Sequence, residues 1–163
     1  MKSALSLFKE FNLKKNQKGF TLIEILVVIG ILAVLLAITL IAINPARQFA
    51  QANNTKRSSD VNAILNAIGQ YSADNKGNLT ALGITATPTT ISDTGIDICS
   101  ILVTKYIAAL PVDPLTNNGN EIDSSECANP YTTNYQVSQS AADNRVTVTA
   151  PAAELGATIT VTR

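Results

Sequence analysis

Lys18–Leu32 reads KGFTLIEILVVIGIL, a strongly apolar run that carries one carboxylate, Glu24, near its start. A charged side chain at the centre of a bilayer-spanning helix costs about 2.5–3.5 kcal/mol on insertion scales. Glu24 therefore needs compensation, or the segment does more than span. From Ile25 to Ile43 there follow nineteen residues without a charge or a proline. At about 1.5 Å per residue, a helix over Phe20–Ile43 measures roughly 36 Å, enough to cross a hydrocarbon core of about 30 Å with some tilt.

Charge gives that span a direction. Residues 1–19 hold Lys2, Lys9, Lys14, Lys15 and Lys18 against Glu10 alone, a net of +4. From Phe20 onward seven basic and eleven acidic residues give −4. The lysine-rich side stays cytoplasmic by the positive-inside rule, and the remainder lies outside. Cys99 and Cys127 both fall in the exported part, where an oxidising compartment favours a disulfide over two free thiols. A cleaved secretory signal competes for the N-terminus. Its apolar core is shorter, however, and IAINPARQ makes a poor cleavage site behind this one. The cleavable-looking point, Lys18-Gly19-Phe20, precedes the apolar run.

Beyond it, Val61, Ile64, Leu65, Ile68 and Tyr71 recur at three- and four-residue spacing. That periodicity predicts an amphipathic helix over 46–75, stopped near Gly77. Asn44-Pro45 pairs a good N-cap with a good first helical residue, so a kink or short break is expected there. Residues 78–97 read as a Thr- and Gly-rich loop with short extended pieces, and 99–109 as a short helix. NYQVSQ, RVTVTA and ATITVTR alternate with period two, which predicts antiparallel strands within 133–163. Their dry face needs the stripe of the long helix as cover, giving an α+β head.

The N-terminal run closely resembles the prepilin signature of type IV pilins and type II secretion pseudopilins: Lys-Gly before the cut, Phe after it, Thr-Leu-x-Glu, then the long apolar helix. YIAALPVDP is similar to a stretch common in the heads of major pseudopilins and related pilins. The resemblance implies removal of residues 1–19 as a leader by a prepilin peptidase cutting between Gly19 and Phe20, followed by N-methylation of Phe20. It implies a subunit held in the cytoplasmic membrane by 20–43, with 44–163 as an extracytoplasmic head. An ATPase-driven assembly platform then inserts it into an extracellular helical filament of its own copies. Glu24 of an incoming subunit would meet the Phe20 amine of its neighbour. Two opposite charges 4 Å apart gain about 4 kcal/mol at an effective dielectric near 20, largely offset by desolvation, so the contact sets register more than affinity. Snorkelling of Glu24 to the headgroups is the simpler alternative. Unlike many relatives, this chain has no proline inside the apolar run, and its leader is long.

Other chemistry finds little footing. The chain contains no histidine and no tryptophan, which removes Ser/His/Asp and Cys/His mechanisms and His-ligated metals. No Gly-rich phosphate loop occurs, and an enzyme is not expected. No cofactor is expected either. Asp113, Asn117, Asn120 and Asp123 crowd a loop with hard oxygen donors, so calcium is the one metal worth weighing, but the spacing is not that of an EF-hand and Asn/Asp-rich turns are commonly only turns. Arg47, Lys56 and Arg57 read as a solvated or subunit-contacting face near the membrane. The segment 90–163 carries three basic and eight acidic residues, so no direct nucleic-acid binding is expected. The preferred expectation is a pilus subunit, with a major pseudopilin as the alternative. An uncleaved, single-span membrane-anchored binding module is the outside case.

Overall fold

The computed structural model describes residues 19–163, so the leader, apart from Gly19, lies outside the described residues. The chain divides into two compact units, the second beginning at Asn44.

In the first unit, helix α1 spans Leu22–Ile43, and none of its residues is buried. Leucine, isoleucine, valine and alanine supply nearly all of it. A soluble surface helix would show one polar face, whereas an all-round apolar helix requires lipid or other helices around it. It is the one helix among the described residues long and apolar enough to cross a membrane.

The second unit opens with Asn44, which adopts left-handed angles (φ 46°, ψ 77°) and accepts a hydrogen bond from the Arg47 N–H. Pro45 then starts helix α2, Pro45–Asp74. A helical proline disfavours helical angles in the residue before it, and asparagine tolerates the left-handed region, so the expected break falls on the residue able to absorb it. At the other end the Asn75 N–H bonds the Tyr71 carbonyl, and Gly77 (φ 85°) returns a bond to Ser72.

Four strands follow: β1, Thr89–Ser92; β2, Thr132–Gln139; β3, Val146–Ala150; and β4, Ile159–Thr162. They form an antiparallel meander in the order β1-β2-β3-β4. Val137 pairs with Val148, and Val148 with Val161. Tyr135, Val137, Val146 and Val148 turn inward onto Val61, Ile64, Leu65 and Ile68 of α2, all of them buried. The outer face carries Gln136, Thr147, Thr149, Thr160 and Thr162, with Thr147–Thr162 and Thr149–Thr160 hydroxyl pairs at 2.9 Å. The architecture is α+β, a helix laid on one face of a small sheet, as the alternating tail requires.

One local reading changes. The helix read over 99–109 is one turn, α3, Cys99–Leu102. Val103 is extended, Thr104 has φ 74°, and the chain folds back so that the Thr104 N–H reaches the Ile107 carbonyl. This reversal buries Leu102, Val103 and Leu110 on the core while Tyr106 packs edge-on against Tyr71 at 5.6 Å. Strand β1 is one of the short extended pieces expected within 78–97. Its partner is β2, some forty residues away, with a register irregularity between Thr90 and Ser92.

Candidate assembly site

The N-terminal residues stand open. Phe20 is 85 % exposed, and a Cβ on Gly19 would meet nothing within 4 Å. Both sides of the bond that the family resemblance marks for cleavage are thus free of contacts within the described residues. Thr21 is the N-cap of α1, and Glu24 is its third residue. One oxygen of the Glu24 carboxylate accepts from the Thr21 N–H and from the Thr21 hydroxyl, each at 2.7 Å. The Thr21 hydroxyl in turn accepts from the Glu24 N–H at 3.3 Å. This reciprocal arrangement is a capping box, which satisfies donors that every helix start leaves orphaned. Glu24 therefore has a local role besides any intersubunit one. The signal was legible as the spacing Thr-x-x-Glu in TLIE, ahead of an apolar run.

In the head, Cys99 and Cys127 form a disulfide across a sequence separation of 28, with their Cα atoms 5.4 Å apart. Cys99 at the start of α3 is fully buried, so the bridge pins the irregular segment 110–131 to the core.

Residues 14–40 match the prokaryotic N-terminal methylation motif. The chain is also 34 % identical over 84 residues to the type IV wide pilus major component PilA4 of Thermus thermophilus, an alignment spanning 48 % of this chain and 63 % of that protein. The resemblance to the type IV pilin family holds. No solved structure matches the chain.

In this pilin-like head Arg57, read from the sequence as part of a solvated or subunit-contacting face, is instead a fully buried core residue. Its Nε donates to Asp113 Oδ2 at 2.6 Å and its Nη2 to Asp113 Oδ1 at 3.2 Å, a two-pronged pairing. Nη1 donates to Glu154 Oε2 at 2.7 Å and to Asn54 Oδ1 at 3.0 Å. One guanidinium thereby ties α2 to Asp113 within YIAALPVDP and to the β3–β4 turn. The hydrogen bond to Arg57, then that from Asn53, holds the Glu154 carboxyl below its ordinary range. Beside it the Tyr135 hydroxyl donates to Asp60 Oδ2 at 2.8 Å, and Lys56 Nζ to Asp60 Oδ1 at 2.8 Å. Burial, then the Asp60 hydrogen bond, pushes the Tyr135 phenol well above its usual range. Of the basic trio, Arg47 is exposed and Lys56 half-buried.

The loop weighed for calcium is distributed differently. Asp113 points inward to Arg57, whereas Asn117, Asn120 and Asp123 are exposed. Asp123 accepts from the Ser125 N–H at 2.7 Å and hydroxyl at 2.6 Å, a local turn. Among the described residues no three of His, Cys, Asp or Glu gather as a metal site.

Proposed function

We propose that the chain is the precursor of a type IV pilus subunit, structural rather than catalytic. The observation that carries this reading is a 22-residue apolar helix with no buried residue, opened by a methylation motif and joined to a folded head. Prepilin peptidase cuts between Gly19 and Phe20 and methylates the new amine, the cytoplasmic membrane holds α1, and an ATPase-driven platform transfers the subunit to an extracellular filament. There α1 exchanges lipid for the α1 helices of other copies.

Glu24 acts twice in this scheme. In the lone subunit it caps α1 through Thr21. Cleavage creates a positive amine on Phe20, one residue before that cap, and one carboxylate oxygen remains free of the box to receive such an amine from a neighbouring copy.

A pilus is favoured over a secretion pseudopilus because the relative is itself described as a wide-pilus major component. The pseudopilin-like stretch YIAALPVDP also has an ordinary packing explanation: Leu110 and Val112 are core residues, and Asp113 is the partner of Arg57. The test is Glu24→Gln in the full-length chain, followed by leader removal and surface filament yield. Glutamine keeps the Thr21 cap but not the charge, so cleavage is expected to continue while assembly falls at least tenfold. Filaments at the unaltered level would contradict the role given to Glu24.

A further inference from the structure

We infer that the first turns of α2 dock on the surface of the membrane that holds α1, with Phe49 at headgroup depth and Arg47 on the phosphates of anionic lipid. The inference rests on the reading of the chain as a membrane-held precursor and adds a second contact with the bilayer, outside the apolar helix.

The fold covers the aromatic residues of the head with one exception. Tyr71, Tyr131 and Tyr135 are buried, and Tyr106 is half-buried against Tyr71. Phe49 is 71 % exposed. It ends a stretch, Pro45–Phe49, that is helical yet has no buried residue; cover by the head begins at Ala50. Single exposed hydrophobes are ordinary on protein surfaces, but the chain itself fixes where this one lies. Asn44 follows directly on Ile43, the last residue of α1, and Phe49 is the fifth residue of α2. Four helical steps rise about 6 Å, and the two Cα–Cα steps from Ile43 to Pro45 span at most about 8 Å. Whatever the angle at Asn44, the Phe49 Cα lies within about 14 Å of the end of the apolar span. Helical side chains lean toward the N-terminal end of their helix, which carries the ring back toward Asn44. The headgroup layer adds about 5–8 Å on each side of the hydrocarbon core. Phe49 thus falls where apolar side chains of surface-bound helices enter the boundary between headgroups and acyl chains.

Charge points to the same surface. Between Glu24 and Asp60 the chain has no acidic residue, and its cations there are Arg47, Lys56 and Arg57. Lys56 pairs with Asp60, and Arg57 with Asp113 and Glu154. Arg47 is exposed and takes no ion-pair partner among the described residues. A guanidinium so close to the end of a membrane span matches the phosphate of an anionic headgroup. Arg47 and Phe49 stand two residues apart, on nearly opposite faces of the helix. A single protein partner would meet one face, whereas headgroups meet both.

The chain has no tryptophan, so Phe49→Trp in the full-length protein supplies a single one whose depth can be read in vesicles of brominated phosphatidylcholine. Quenching is expected to be about twofold stronger with bromine near the headgroups than with bromine near the acyl chain ends. Ala73→Trp, exposed and roughly 36 Å farther along α2, is expected to escape quenching. Leu32→Trp, within α1, is expected to be quenched most by the deep bromine; if it is not, the membrane-held reading fails and the docking with it. With Leu32→Trp quenched, an unquenched Phe49→Trp overturns the docking alone, as does one quenched most by the deep bromine. Blue-shifted but unquenched emission also overturns it and assigns Phe49 to another protein copy. Adding phosphatidylglycerol is expected to increase quenching of Phe49→Trp, and to have no such effect when Arg47→Gln is also present. An equal response in both overturns the role given to Arg47.

Discussion

At Arg57 a cation is enclosed by protein on every side, and its worth comes from what would be left behind without it. Truncation would strand Asp113, itself fully buried, as an unpaired charge, and breaking such a pair costs about 3–5 kcal/mol. Arg57→Ala is therefore expected to lower the unfolding free energy of the head by about that amount, read by denaturant unfolding in detergent. Arg57→Lys should fall between, because an ammonium cannot reproduce the two-pronged geometry. The surrounding groups set a pH profile. Glu154 has its pKa depressed below 4.5 in the folded head, so its contribution is present above that value and lost as the pH falls through the folded pKa. Tyr135 has its pKa raised above 10, so its contribution is present below pH 10 and lost on further alkalinisation. The melting temperature should decline on both sides, with Glu154→Gln flattening the acid limb and Tyr135→Phe the alkaline one. A profile unchanged by both variants would contradict the network. In the sequence Arg57 and Asp60 look like ordinary charges, yet they continue the stripe of Val61, Ile64, Ile68 and Tyr71 at helical spacing. Their burial was readable from position but not from residue type, since the partners Asp113 and Glu154 come from distant segments.

Among the elements, α1, α2 and strands β2 to β4 follow from local patterns: an unbroken apolar run, a three-and-four stripe and a two-residue alternation. Segments whose conformation depends on remote partners were less legible. Strand β1 exists because β2 offers it an edge, and Thr and Ser residues alone do not separate a strand from a loop. Helix α3 ends after a turn because Val103 and Leu110 reach the core better through a chain reversal than through a longer helix. That irregular region is held by Cys99–Cys127. In the chain-entropy model a bridge of this span contributes roughly 3–4 kcal/mol. Replacing both cysteines by serine should cost about that much, with segment 110–131 the first to gain protease sensitivity. Unchanged stability would mean that burial around Leu110 and Val112 holds the region unaided.

At the scale of the whole molecule, the chain joins a head that satisfies itself to a helix that satisfies nothing. The head buries its apolar stripe, and among the described residues no buried side-chain nitrogen or oxygen lacks a partner. Helix α1 buries none of its residues, so its environment must come from outside the subunit, first lipid and then, under the filament proposal, other copies. The motif that opens it was legible in about twenty-five residues, because a helix cap, an apolar run and, under the pilin proposal, peptidase recognition are all local requirements. Cleavage at Gly19–Phe20 and export as a filament subunit are together read by a single quantity, the intact mass of the protein in material sheared from the surface of its native cells. The expected mass is that of Phe20–Arg163 plus one methyl group, less two hydrogens for the disulfide. A full-length mass beginning at Met1 would contradict this reading, as would processed protein found only in the membrane fraction.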